Sequence, residues 1–169
     1  LSDDLLIGVT DFFRDKEAFK VLEKEIIPTL FKRQEDKSEV RVWVPGCATG
    51  EEAYSLAILL DEYRRREDLL MSFRVFGSDI HRQALNRANL GVYPKDKLKG
   101  LSPKRLVDYF EVVDEKHYRV KASLRQRLLF APQDVTSNPP FTKMDLISCR
   151  NLLIYLLPQT QTKVLSLFH

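Results

Sequence analysis

The stretch RVWVPGCATGEEAYSLAILL, Arg41–Leu60, decides the fold of this chain. Its first four residues, Arg41–Val44, are typical of a buried strand, and Gly46 and Gly50 then mark a turn. Four apolar residues follow at helical spacing: Ala53, Leu56, Ala57 and Leu60. This order of strand, glycine-containing loop and helix predicts the first unit of a nucleotide-binding α/β sheet.

The glycines and acids of this loop indicate what it binds. Gly46 can adopt the backbone angles of a tight turn, and Gly50 lets the main chain approach a ligand closely. Glu51 and Glu52 stand where a phosphate-binding loop offers bare N–H groups and usually a lysine, so the loop favours a cation. A ligand with an ammonium and a sulfonium beside a nucleoside fits, which points to S-adenosylmethionine. The alternative is an ordinary strand–turn–helix in which the glutamates only favour the helix N-terminus.

The composition excludes several classes of protein. The chain has 169 residues, 44% hydrophobic and 30% charged, which is typical of one soluble globular domain. Its 27 basic and 24 acidic residues leave a net charge of +3, too small to indicate nucleic-acid binding. No apolar run approaches the roughly 20 residues that span a bilayer, and the first residues are not a signal peptide, so we expect a cytoplasmic location without membrane insertion. Cys47 and Cys149 are expected to be reduced core residues, and the isolated histidines predict no metal site.

Polar side chains follow the other strands of the predicted sheet. These strands are Ser72–Ser78, Arg127–Ala131 and Met144–Cys149. Asp79, Asp134 and the pair Arg150-Asn151 stand just past their carboxyl ends, and a helix over Arg82–Leu90 follows Asp79. Because parallel strands present these ends at one edge, we expect the polar residues to meet the Gly46–Glu51 loop in one crevice, with Asp79 placed to bind ribose hydroxyls. Asp79 is alternatively, or also, a helix N-cap.

Two segments lie outside this alternation of strands and helices. A helix is predicted from Lys16, with Pro28 expected to kink or end it, and the preceding Thr10–Arg14 is alternatively a helix cap followed by a buried aromatic pair. Residues 92–126 are predicted to form an inserted subdomain, with a helix from Ser102-Pro103 and a hairpin over Phe110–Val120. The insertion is either a platform for a partner or substrate, or a surface hairpin without a role.

One motif competes with this interpretation. Asn138-Pro139-Pro140-Phe141 resembles the tetrapeptide of adenine-N6 and glutamine amino-methyltransferases. In those enzymes the tetrapeptide follows the fourth strand and faces the methyl group, whereas here it precedes that strand. We therefore interpret it as a connecting loop.

Four motifs, in this order, resemble those of the CheR family: Thr10-x-Phe12-Phe13-Arg14, Gly46-Cys47-Ala48-Thr49-Gly50-Glu51-Glu52, Ser78-Asp79-Ile80, and Cys149-Arg150-Asn151 through Ile154-Tyr155. These S-adenosylmethionine-dependent methyltransferases esterify glutamates on bacterial chemotaxis receptors. The resemblance runs from about Gly8 to the last residue and implies a Rossmann-like methyltransferase sheet, here expected to be truncated at its C-terminal end. The amino-acid sequence of residues 130–141 and 149–156 most resembles that of family members found in long sensory proteins that also carry CheB and PAS modules.

The resemblance also implies roles for individual residues. Thr10 and Arg14 would line the cofactor site from the N-terminal side, with Arg14 near the transferring methyl group. Glu51 would hold the methionine ammonium, and Asp79 the ribose. The remaining positions would border the adenine (Asp134, Val135), the methionine (Arg150, Asn151) and the methyl group (Tyr155).

The implied activity is methyl-ester formation on glutamates of a chemoreceptor or related signalling protein. A glutamate side chain is already ionised near neutral pH, so the reaction needs no strong base, and the sequence shows no Ser/His/Asp or Cys/His set. Arg14 could orient the substrate carboxylate and Tyr155 could donate a further hydrogen bond. The alternative of another class is a module that binds or scaffolds without methyl transfer. A methyltransferase acting on nucleic acid or a small molecule is disfavoured.

Overall fold

A computed structural model describes residues 10–32, 39–133 and 143–148, and the backbone alone of Cys149 and of Leu152–Tyr155. Its elements are, in chain order, α1 (Lys16–Val21), a π-helical segment (Leu22–Ile26), α2 (Ile27–Lys32), β1 (Glu39–Pro45), α3 (Glu51–Arg66), β2 (Ser72–Asp79), α4 (Arg82–Leu90), β3 (Val92–Pro94), a 3-10 turn (Lys95–Leu98), α5 (Pro103–Tyr109), β4 (Phe110–Val112), β5 (His117–Val120), α6 (Ala122–Arg125), β6 (Leu128–Pro132), β7 (Leu146–Cys149) and β8 (Leu152–Tyr155). No helix within these ranges is long and apolar enough to cross a membrane.

The main sheet has the strand order β6-β2-β1-β7-β8, with β1 in the middle. β1 pairs in parallel with β2 and β7, β2 pairs in parallel with β6, and β8 runs antiparallel to β7. The chain passes from β1 to β2 on one side and reaches β7 on the other. The carboxyl end of β1 is therefore the topological switch point, where open α/β sheets bind ligands. The predicted α/β fold with a parallel sheet is confirmed.

The central helix α3 is buried almost all round. The four apolar residues that predicted it are at most 1% exposed: Ala53, Leu56, Ala57 and Leu60. The sheet covers one side of the helix, and two other elements cover the opposite side. Phe31 of α2 packs on Tyr63 with 5.4 Å between ring centroids, and the Tyr109 hydroxyl of α5 donates to Asp61 at 2.9 Å. Because this helix is packed on nearly all sides, it holds the end of the preceding loop in a fixed position.

The helical stretch at the N-terminal side accommodates Pro28 without ending there. The turn that precedes α2 is π-helical. Proline has no N–H to donate to the carbonyl four residues earlier, and its ring crowds that carbonyl, so a wider turn relieves both problems. The kink expected at Pro28 thus takes the form of a local π-helical segment, and Leu22, Ile26 and Leu30 remain in the core.

The inserted segment forms a small antiparallel sheet of its own. Its strands lie in the order β3-β5-β4, and the predicted helix and hairpin are both present, with Ser102 as the N-cap of α5. Strand β3 was not predicted. The ring of Phe12 packs edge-on against Tyr93 of β3 and Phe110 of β4, with centroids 5.0 and 5.5 Å away. The insertion is therefore packed onto the segment that precedes α1.

The predicted strands differ from the observed ones by one or two residues at their ends. β1 begins at Glu39 and β7 at Leu146, whereas α4 has the predicted bounds. Strand β8 was not predicted. Apolar patterns locate a strand well, but its ends depend on the pairing of neighbouring strands, which a single sequence does not reveal.

Gly50→Ala should destabilise the chain more than Gly46→Ala. Both glycines have positive φ, +95° and +64°, a conformation that costs alanine about 1–2 kcal/mol. A Cβ at Gly50 would also lie 2.9 Å from the Cβ of Ala88, whereas one at Gly46 would meet nothing within 4 Å. We expect Gly50→Ala to lose about 1–3 kcal/mol more in free energy of unfolding, measured by urea denaturation. Equal losses would contradict the close packing of the loop on α4.

Candidate cofactor-binding site

The loop between β1 and α3 has an unusual backbone. Three of its five residues are left-handed: Gly46, Ala48 and Gly50, with φ of 64°, 51° and 95°. The N–H of Cys47 donates to the carbonyl of Ser78 at 2.9 Å, which ties the loop to the end of β2. A left-handed alanine is strained by about 1–2 kcal/mol, so the surrounding contacts must hold it in place.

Gly46 has the left-handed backbone of a turn, as predicted, whereas the surroundings of Gly50 differ from the expectation. Gly50 was predicted to admit a ligand, but the atoms nearest to it belong to Ala88 and Tyr93, so its missing side chain permits packing of the loop on the protein. Open space lies instead beside Gly46, which is exposed. Any ligand that approaches the loop backbone closely is therefore expected at Gly46.

Glu51 is the first residue of α3, and its side chain is only 1% exposed. Its carboxylate accepts hydrogen bonds from two threonine hydroxyls, that of Thr10 at 2.9 Å and that of Thr49. Burial raises the pKa of this carboxyl, while the hydrogen bonds from Thr49, from Thr10 and from the main-chain N–H of Glu51, and the charge of Lys97, act in the opposite direction. An ionised carboxylate has about four acceptor sites, so these three hydrogen bonds leave about one for a ligand donor.

Glu52 has a different role from its neighbour. Its carboxylate accepts a hydrogen bond from the Ser148 hydroxyl of β7 at 2.7 Å, which joins the first turn of α3 to the strand beside β1. Both acids also lie in the first helical turn, where carboxylates are favoured, so the structural alternative holds for both. Glu51 is the better candidate for a ligand cation.

Asp79 lies at the end of β2, as predicted, and supports the loop directly. Its Oδ2 accepts the N–H of the strained Ala48 at 2.8 Å, and its Oδ1 accepts the N–H of His81 at 2.9 Å. The N-cap of α4 is His81 rather than Asp79. The ring Nδ1 of His81 also lies 2.9 Å from Asp79 Oδ1, so a role in ribose binding would use the acceptor sites that these three contacts leave on the carboxylate.

The segment from Thr10 to Arg14 combines both roles considered for it. Phe12 and Phe13 are a buried aromatic pair, 1% and 6% exposed, and the helix cap is Asp15 rather than Thr10. Thr10 meanwhile reaches Glu51, so the segment lies over the loop. Arg14 is exposed, beside this contact in the chain.

Three residues of the site were not predicted. Thr49 donates to Glu51, the hydroxyl of Tyr93 donates to the carbonyl of Thr49 at 2.5 Å, and the ammonium of Lys97 donates to the carbonyl of Thr10 at 3.3 Å. Thr49 could have been found from its position two residues before Glu51. Tyr93 and Lys97 belong to the inserted subdomain, more than 40 residues along the chain, and no spacing rule connects them to the loop.

The described structure thus brings five of the predicted site residues to one edge of the sheet: Thr10, Gly46, Gly50, Glu51 and Asp79. Four others lie outside the described residues: Asp134, Val135, Arg150 and Asn151. The backbone of Tyr155 pairs with Leu146, about 10 Å along β7 from its carboxyl end. Its side chain lies outside the described residues, so its expected place near the methyl group stays a prediction.

Fold and site together define a class of protein: a Rossmann-like α/β domain with a buried acid at the switch point, where a cationic ligand can bind. Within that class, residues 8–169 match the family model described as CheR methyltransferase, SAM binding domain. The chain belongs to the CheR methyltransferase family, and the matched region is that family's domain for S-adenosylmethionine.

Individual relatives agree with this membership. The chain is 36% identical over its whole length to the "Uncharacterized 104.1 kDa protein in hypE 3'region" of Rhodobacter capsulatus, of which it covers 18%. It is 31% identical, again over its whole length, to the chemotaxis protein methyltransferase of Borreliella burgdorferi, and 34% identical over 98% of its length to the putative methyltransferase Cher3 of Pseudomonas putida. The chain spans 61% and 60% of those two proteins.

The stability of Glu51→Gln relative to the wild type should increase as the pH rises from 4.5 toward neutral in the ligand-free chain. The folded-state pKa of Glu51 lies above its ordinary value of 4.5, so the unfolded chain releases this proton first as the pH rises. The wild type therefore loses stability between pH 4.5 and the folded pKa, and the glutamine variant does not.

Urea denaturation of both forms at several pH values between 4 and 7 measures this difference. We expect the stability of Glu51→Gln relative to the wild type to increase with pH across that range. A difference that stays constant, or that decreases as the pH rises, would show that burial does not penalise the Glu51 carboxylate.

Proposed function

We propose that this chain binds S-adenosylmethionine at the carboxyl end of β1 and transfers its methyl group to glutamate carboxylates of a chemoreceptor or related signalling protein. The observation that carries the proposal is the buried Glu51 carboxylate, held by two threonine hydroxyls at the switch point of the sheet. The substrate class is supported by relatives named chemotaxis protein methyltransferase, in Borreliella burgdorferi and Vibrio parahaemolyticus.

Glu51 is suited to hold the methionine ammonium of the cofactor. Its two threonine bonds fix the carboxylate in one orientation and leave an acceptor site for a cation. Because the side chain is 1% exposed, an ammonium that reaches it is almost completely removed from water, which strengthens the ion pair. The covering Thr10 segment must admit the ligand for this contact to form.

The other contacts of the cofactor follow from the order of the strands. Asp79, at the end of the neighbouring strand β2, would accept from the ribose hydroxyls, with the adenine further along the edge toward Asp134 and Val135. Arg150 and Asn151, which follow β7 on the other side of β1, would border the methionine. The cofactor would thus lie across the end of β1, beside Gly46.

The bound cofactor supplies an electrophilic methyl group on a sulfonium. The chain has to orient a substrate carboxylate toward that group and exclude water, because opposite charges disappear as the bond forms. Arg14 is exposed at the end of the segment that covers Glu51, where its guanidinium could hold an incoming carboxylate with two parallel hydrogen bonds. Tyr155 would donate a further hydrogen bond, and no side chain has to act as a strong base.

A larger sensory protein is the expected setting for this domain. The chain spans about 60% of the chemotaxis methyltransferases it matches, and 18% of the 104.1 kDa relative in Rhodobacter capsulatus. Linked CheB and PAS modules would fit such a protein. The sequence of residues 130–141 and 149–156 indicated them by resemblance.

Calorimetric titration with S-adenosylhomocysteine, the reaction product, tests the cofactor site. Glu51→Gln should weaken binding about 10- to 100-fold, because it removes a charged hydrogen-bond acceptor worth about 1.5–3 kcal/mol. Glu52→Gln is the matched control: it removes a charge one residue away and should change the affinity less than about threefold. Equal effects of the two substitutions would argue that only the overall charge of the helix N-terminus matters. Absence of binding by the folded wild type would contradict the proposed function.

Arg14→Ala should reduce methyl transfer far more than it reduces cofactor binding. Loss of a group that orients the substrate is expected to lower turnover about 100-fold and to leave the affinity for S-adenosylhomocysteine within about threefold. Turnover is measured as base-labile methyl ester formed on chemoreceptor fragments, with Lys16→Ala as a control at an exposed cation two residues away. Equal losses in binding and turnover would make Arg14 a structural residue. Binding of the cofactor product without any methyl transfer by the wild type would favour the alternative of a module that binds or scaffolds without catalysis.

A further inference from the structure

Lys97 connects the inserted subdomain to the covering segment of the site. It lies on the 3-10 turn Lys95–Leu98, and its ammonium donates to the main-chain carbonyl of Thr10 at 3.3 Å. The same ammonium lies 3.8 Å from the carboxylate of Asp11, and the Lys97 side chain is 29% exposed. The hydroxyl of Thr10 in turn donates to Glu51 at 2.9 Å. Lys97 thus acts on the residue that holds the buried acid.

The charge of Lys97 also reaches Glu51 directly. It lowers the pKa of this carboxyl against the effect of burial, although less than the hydrogen bonds from Thr49, from Thr10 and from the main-chain N–H of Glu51 do. The carboxylate of Asp79 also faces the site, on the N–H of Ala48. Two further titratable groups there are the thiol of Cys47 from the loop and the phenol of Tyr93 from β3, and burial raises the pKa of both. Both are therefore neutral near pH 7 and add no charge beside Glu51. Asp11 opposes Lys97 in part, but its side chain is 61% exposed and its charge is screened by water.

We propose that Lys97 is a positioning residue of the cofactor site, which holds the Thr10 segment over the loop, with the Thr10 hydroxyl on the Glu51 carboxylate, and brings a positive charge to that segment. This inference rests on the proposed function. The simpler explanation is a surface ion pair with Asp11, which would contribute little to stability or binding. The contact with the Thr10 carbonyl and the effect on Glu51 separate the two explanations, because an ion pair with Asp11 involves neither.

The affinity for S-adenosylhomocysteine between pH 5 and 7.5 tests the inference. Wild-type affinity should fall as the pH decreases through the pKa of Glu51, because only the ionised carboxylate binds an ammonium. Lys97→Met removes the ammonium and keeps the apolar stem of the side chain, so the midpoint of this fall should move to higher pH. Lys97→Arg should restore the wild-type midpoint.

Two further variants separate charge from packing. Lys97→Gln removes the charge and keeps an N–H donor on a side chain one atom shorter, so it should shift the midpoint as Lys97→Met does while losing less affinity at pH 7.5. Lys99→Met removes a neighbouring exposed lysine and should reproduce the wild-type curve.

The outcomes distinguish this inference from the proposed function. If Lys97→Met and Lys97→Gln weaken binding equally at every pH and leave the midpoint unchanged, Lys97 is merely structural and the inference is overturned. The same holds if Lys99→Met shifts the midpoint as far, because any nearby lysine would then suffice. If the wild type binds and Glu51→Gln does not, but the Lys97 variants match the wild type, the inference fails while the function stands. Absence of binding by the wild type overturns both.

Discussion

The burial of the Glu51 carboxylate is the constraint on which the rest of the site depends. A charged group removed from water is costly unless hydrogen bonds replace the lost hydration. Here the two hydroxyls come from different parts of the chain, Thr49 from the loop itself and Thr10 from the segment before α1. The loop must therefore keep its left-handed backbone and the segment must stay in place, or the carboxylate loses its partners. Residual penalties of this kind are common at binding sites, where a ligand supplies what the free protein lacks.

The inserted subdomain is what keeps the covering segment in place. Arg105 of α5 stacks over the ring of Phe13 at 4.4 Å, and the same guanidinium donates two hydrogen bonds, each 2.9 Å, to Glu62 of α3. Gly100 lies so close to the main-chain carbonyl of Phe12 that a side chain there would collide with it. Together with the aromatic contacts of Phe12, these interactions make the insertion one wall of the candidate site.

Local patterns in the sequence predicted the frame of this protein well. The helix α4 follows from its spacing of apolar residues, and Asp79 was placed at the end of β2 because acids there follow a rule of the fold. What could not be predicted depends on contacts between distant residues. Ala48 has a left-handed backbone that its own residue type does not predict, because the carboxylate that accepts its N–H belongs to Asp79, 31 residues further along the chain. The contact between Lys97 and Thr10 likewise depends on how the inserted subdomain packs on the N-terminal segment.

The expected purpose of Gly50 shows the same limit in a single residue. A glycine in such a loop predicts close approach of some atom to the backbone, but the sequence does not say which. The structure shows that the approaching atoms are those of Ala88 and Tyr93, so this glycine allows the loop to pack against α4, and open space lies beside Gly46. Four of the predicted cofactor contacts, Asp134, Val135, Arg150 and Asn151, lie outside the described residues and stay predictions.

The most direct measurement is the pKa of the Glu51 side-chain carboxyl, followed by carbon-13 NMR in the free chain and in its complex with S-adenosylhomocysteine. If Glu51 binds the ammonium of the ligand, its buried carboxyl should have a pKa above 4.5 in the free chain. The pKa should decrease when the ligand binds, because a nearby cation favours the ionised form. A pKa at or below 4.5 in the free chain, or one that the ligand leaves unchanged, would show that Glu51 is not the residue around which this site is built.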